Sequence, residues 1–137
     1  MQSRFWVPAL LVAGLALQST ASSAQEAIGK ATSVKPQAEG IQSGASRTLA
    51  GGSEVYSKET VRTGRSGQAD LQFQDNSNLS VGPDSNVRLD KFVYDPNKSA
   101  GSVAVQATRG SFRFVTGSQS KGSYQIKTPY GTLGVRG

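Results

Sequence analysis

The chain has 137 residues, with 15 Lys plus Arg against 9 Asp plus Glu, a formal charge of +6, and neither His nor Cys. Without those two residue types, disulfides, the common nucleophile–base pairs and most transition-metal sites are excluded. The expectation is a non-catalytic protein with no metal and no cofactor.

Residues 1–24 read as a secretory signal peptide. Arg4 is a short positive region, Phe5 to Leu17 an apolar core broken by Pro8 and Gly14, and Ser22-Ser-Ala24 supplies small residues for cleavage after Ala24. The apolar run falls short of the roughly 20 residues of a membrane-spanning helix, so no stable membrane insertion is expected after cleavage. No cysteine follows to carry a lipid anchor. Residues 25–137 then form one domain, preceded by a signal-peptide helix.

No window after residue 25 keeps apolar residues at helical spacing. Gly, Asn, Asp, Ser and Pro punctuate short runs instead, which predicts an all-β domain. Ala27 to Val34 reads as a weak first strand. Lys35 to Arg47 is polar and rich in Gly and Ser, and reads as a loop. Arg47 to Tyr56 gives two short strands about a Gly51-Gly52 turn, and Glu59 to Gly64 another short run.

Ala69, Leu71 and Phe73 share one face of a stronger strand. Asp75 to Asn78 is a turn, Leu79 and Val81 resume the apolar face, and Gly82 to Ser85 turns again. Val87 and Leu89 are apolar in one phase, Phe92 and Tyr94 in the other. That slip predicts either a β-bulge near Asp90 and Lys91 or a strand buried on both faces. Asp95 to Lys98 is a loop, and Val103 and Val105 open the next strand. Strands this short bury little singly, so they are expected to stack as a solenoid-like β-roll or a jelly-roll-like sandwich.

In the last third, Phe112 and Phe114 alternate with Arg113, Tyr124 and Ile126 alternate with Lys127, and Leu133 and Val135 oppose Thr132, Gly134 and Arg136. No carboxylate follows Asp95, while six Lys or Arg do. Arg109, Arg113 and Lys127 are therefore a candidate basic face for an acidic partner, the alternative being charge for solubility alone. Thr132, Leu133, Gly134, Val135 and Arg136 form a candidate partner-binding edge, open to strand addition or self-association, unless they fray as a tail.

Other chemistry is weakly signalled. Asp70, Asp75, Asp84 and Asp90 could converge, but Asp75 and Asp84 sit in turns, where Asp usually bonds the backbone. The run from Asp75 begins like a calcium loop and lacks its Gly and distant Glu. Ser120 and Lys121 would point to opposite faces of a strand. Arg109-Gly-Ser-Phe-Arg-Phe approaches an RNA-binding pattern, but Ser111 displaces the first aromatic residue. No nucleic acid is expected.

Five runs in order carry a resemblance: Gly52-Ser-Glu-Val-Tyr with Val61-Arg-Thr-Gly, Ala69-Asp-Leu-Gln-Phe-Gln-Asp-Asn-Ser, Leu79-Ser-Val-Gly-Pro-Asp-Ser, Arg109-Gly-Ser-Phe-Arg-Phe, and Thr128-Pro-Tyr-Gly-Thr-Leu-Gly-Val-Arg-Gly. Together they resemble the FecR domain, the periplasmic part of iron-dicitrate-type signal regulators, from about Ile28 to Gly137. The resemblance implies a periplasmic protein-interaction and signal-relay module whose partner is another envelope protein, such as an outer-membrane receptor. It is closer to the standalone exported form, since no cytoplasmic helical region precedes the signal. In the family, Val-Arg-Gly leads into a Thr and a further strand, so a C-terminally truncated domain is expected. The alternative is an envelope carbohydrate- or polymer-binding domain using Tyr56, other aromatic residues and Arg.

Overall fold

The computed structural model describes residues 14, 26–97, 101–119 and 121–134. The expected signal peptide, residues 1–24, lies almost wholly outside them. Among the described residues no helix is long and apolar enough to cross a membrane.

The domain is nearly all β, in two sheets. Its strands are β1 (Ala27–Lys35), β2 (Ala38–Gln42), β3 (Ala45–Thr48), β4 (Glu54–Tyr56), β5 (Thr60–Thr63), β6 (Gln68–Phe73), β7 (Asn78–Val81), β8 (Asn86–Val93), β9 (Ser102–Arg109), β10 (Phe112–Val115), β11 (Tyr124–Thr128) and β12 (Gly131–Gly134). One sheet has the order β10-β7-β6-β1-β4, the other β12-β11-β9-β8-β5-β2-β3. Neighbours run antiparallel except β9 and β11, which are parallel. Neither sheet closes into a barrel.

Period-two alternation decides which side of each strand is buried. Ala69, Leu71, Phe73, Leu79 and Val81 from the first sheet meet Val61, Val87, Leu89, Val103, Val105 and Tyr124 from the second in one core. Phe112 and Phe114 pack against that core while Arg113 is exposed between them. Phe73 stacks on Phe92 across the sheets, with ring centroids 5.5 Å apart.

The run from Lys35 to Arg47 is not a loop but a hairpin, β2 and β3. Ser43 and Gly44 both take positive φ, 51° and 78°, as a two-residue hairpin turn requires. Its polar composition reflects its place at the end of the second sheet, where Ala38 and Gly40 are the buried members of β2. β3 and β4 flank the Gly51-Gly52 turn as expected, yet do not pair. The chain changes sheet there, with Leu49 in the core. The slip in β8 is a bulge, since the pairing with β9 shifts between Leu89 and Lys91. Of the two readings of that slip, the bulge is the one found.

The two ends of the sandwich differ. At one end Thr63 donates to the Gly82 carbonyl at 2.6 Å, and the Ser85 hydroxyl accepts from the Ser111 amide at 3.0 Å. Gly110, at φ 88°, permits this approach, because a Cβ there would lie 2.1 Å from Ser85 Oγ. The other end holds the groove described next.

Candidate partner-binding site

A groove of about 800 Å³ opens at that second end, lined by Ala27 and Ile28 of β1, the Tyr56–Lys58 turn, Gln74, and Phe92, Val93 and Tyr94 at the end of β8. Val93 and Tyr94 are 44% and 42% exposed, although both are large and apolar. The bulge explains Val93. One extra residue in β8 shifts the phase, so Phe92 takes the inward side that Val87 and Leu89 occupy and Val93 turns outward. Tyr94 follows the last residue of the strand.

Each wall is fixed by its own contacts. Tyr56 lies under the Arg47 guanidinium, 5.2 Å from its ring centroid, and donates its hydroxyl to Glu54 Oε2 at 3.2 Å. Arg47 also holds the buried Glu59 carboxylate in a two-pronged pair, Nε to Oε2 at 3.0 Å and Nη2 to Oε1 at 2.9 Å. Lys58 takes φ 66°, a left-handed conformation, and its amide donates to the Leu89 carbonyl at 2.6 Å. Gln74 donates its side-chain amide to the Ala27 carbonyl at 3.0 Å.

The far wall is clamped by a side-chain amide. Gln119 is buried, and its Nε2 donates to the Asp95 carbonyl at 2.7 Å while its Oε1 accepts from the Asp95 amide at 3.4 Å. Gln119 is itself anchored by the Tyr124 hydroxyl, which accepts from the Gln119 and Gly117 amides at 3.2 and 3.1 Å. Tyr124 in turn donates to Asp75 Oδ2 at 2.6 Å. Burial, with the Asp75 hydrogen bond and charge behind it, pushes the Tyr124 phenol up to about 12.

The sequence-derived candidates are dispersed. Arg109 ends β9, exposed; Lys127 is exposed on β11 of the same sheet; Arg113 is exposed on β10 of the other sheet. The sandwich thus brings Arg109 and Lys127 onto one sheet and separates Arg113 from them. Thr132, Leu133 and Gly134 lie in β12, paired to β11, and Leu133 is 54% exposed. Val135 and Arg136 lie outside the described residues. At the β11–β12 turn Tyr130 is 99% exposed.

The four carboxylates do not converge. Asp75 and Asp84 sit in the turns before and after β7, while Asp70 and Asp90 lie in different sheets. Asp75 serves its own turn, Oδ1 accepting from the Ser77 amide at 3.0 Å and hydroxyl at 2.5 Å. Among the described residues no three His, Cys, Asp or Glu group to hold a metal. Ser120 lies outside the described residues, and Lys121 opens a 3-10 turn.

Residues 59–137, more than half of the chain, match the family model described as FecR protein. No curated protein and no solved structure matches. The matched stretch covers β5 to β12, and with them the Phe92–Tyr94 wall and its Gln119 clamp.

Proposed function

This chain belongs to the FecR protein family, a family of signalling regulators that bind other proteins, and on that premise we propose that it is a non-catalytic, exported interaction module. It loses its signal peptide after Ala24 and works in the periplasm, where it relays a signal by docking another envelope protein. Regulation of iron transport is the setting that the family suggests. The observation that supports docking is the groove walled by Tyr56, Phe92, Val93 and Tyr94. Contiguous exposed apolar side chains beside a preformed cleft mark an interaction surface. The exposed β12 edge, with Leu133, supplies a second contact by strand addition.

The test is capture from envelope extract, followed by reconstitution with the purified partner. An outer-membrane receptor or signalling regulator should be retained, and Val93→Asp should weaken it by about tenfold or more, as loss of an interface anchor does. Leu133→Asp separates the edge from the groove. Retention of purified glycan alone, with no protein partner, would overturn the relay in favour of polymer binding.

A further inference from the structure

We infer that the outer face of the seven-stranded sheet carries a second site, which binds an acidic saccharide. This goes beyond the relay reading and uses none of the groove. A depression of about 560 Å³ lies over β9 and β11, with Asp90, Lys91, Ser102, Gln125 and Lys127 around it and Gly101, Ala104 and Gly122 also lining it. The strand register builds it. Lys91 pairs with Ala104 and Ala104 with Gln125, while Gln106 pairs with both Arg88 and Lys127. Adjacent strands lie about 4.8 Å apart, so Lys91 and Gln125 flank Ala104 at about 10 Å from each other. The β8 bulge falls between Leu89 and Lys91, at the lip of the depression. Bulges re-aim side chains in this way beside binding sites.

Its charge is unbalanced. Asp90 is shared by two cations, Arg88 Nε at 3.5 Å and Lys127 Nζ at 3.9 Å. Lys91 makes no ion pair among the described residues. Three cations around one carboxylate leave a positive site, which selects an anion. The lining selects what carries that anion. Hydroxyl, amide and ammonium groups surround a floor of small residues, and among the described residues no large apolar side chain lines the depression. An apolar peptide would find nothing to bury against, whereas sugar hydroxyls would find partners. A bare inorganic ion would leave most of the volume to water.

Titration of the purified chain with trigalacturonate, followed by backbone-amide NMR, tests the site. Saturable shifts are expected at Lys91, Ala104, Gln125 and Lys127. Lys91→Glu and Lys127→Glu should each weaken binding about tenfold, while Lys91→Gln should give a smaller loss and Asp90→Asn none. Circular dichroism shows whether each variant is folded. Equal binding of inorganic phosphate, polyglutamate or an uncharged trisaccharide would overturn the proposal. So would shifts confined to the groove, or no saturation. The relay reading stands or falls separately, on the Val93 and Leu133 variants.

Discussion

Tyr124 donates its phenolic hydrogen to Asp75 Oδ2 at 2.6 Å, joining two residues 49 positions apart and the two sheets of the sandwich. Both groups are buried, and the same phenol oxygen accepts two backbone amides from the loop before β11. Tyr124→Phe keeps the ring against Phe114, whose centroid lies 5.6 Å away, and removes every one of those bonds. A buried carboxylate oxygen and two amides then lose their partner, at a cost of about 2–3 kcal/mol. Urea denaturation should show a lower midpoint with an unchanged slope. A loss below about 0.5 kcal/mol, within the range of surface substitutions, would show that the bond carries no stability.

The same bond sets an alkaline limit. The phenol is raised from its ordinary 10.0 to about 12, so the folded state favours the neutral form. A raised folded pKa gives stability that is fully present below pH 10 and lost as pH rises towards 12. Two units correspond to roughly 2–3 kcal/mol. Phenolate absorbance should show a late step that coincides with loosening of the Gln119 clamp and that is missing in Tyr124→Phe.

The strands on either side of this bond were legible from period alone, because Ala69, Leu71, Phe73, Leu79 and Val81 alternate without interruption. The phase slip at Asp90 and Lys91 left a bulge and a strand buried on both faces as open readings, and it did not show that Phe92, Val93 and Tyr94 wall a groove. Tyr56 could be named as a contact, but the groove it lines is built from four separate segments of the chain. β2 and the start of β3 were missed because strands near the sheet's end have few apolar positions. Ser43-Gly44 was their one local signal. The basic residues looked like a single face because sequence shows each strand's alternation and not its sheet. Arg113 and Lys127 parted on topology.

Arg47 and Glu59 make a third testable pair. Glu59 is 1% exposed and pinned by both arms of the guanidinium, and Gly40 leaves just enough room, since a Cβ there would lie 2.6 Å from Glu59 Oε2. Arg47→Met removes the partner and strands a buried carboxylate, a loss of about 3 kcal/mol or more. Adding Glu59→Met removes the stranded charge, so the double variant should be more stable than the Arg47 variant alone. Thermal denaturation of the parent, the two single variants and the double variant checks the order. A double variant as unstable as the sum of the two single ones would show no coupling.

Gly117 and Gly122 provide a matched contrast within one short loop. A Cβ at Gly117 would stand 2.0 Å from the Asp75 carbonyl oxygen and 2.5 Å from the Ser77 nitrogen, both of them backbone atoms with no freedom to retreat. Gly117→Ala must therefore lift the loop from the turn, breaking the bond from the Ser118 amide to the Asp75 carbonyl at 2.8 Å and dragging Gln119 from Asp95. A Cβ at Gly122 meets nothing within 4 Å. Gly117→Ala should lose about 2–4 kcal/mol, in the range of overpacking plus a broken buried bond, whereas Gly122→Ala should stay within about 0.5 kcal/mol of the parent. Hydrogen exchange at Asp95 reads the mechanism directly. Its amide should lose protection in the Gly117 variant and keep it in the Gly122 variant. Equal protection in both would mean that the loop does not hold the groove wall.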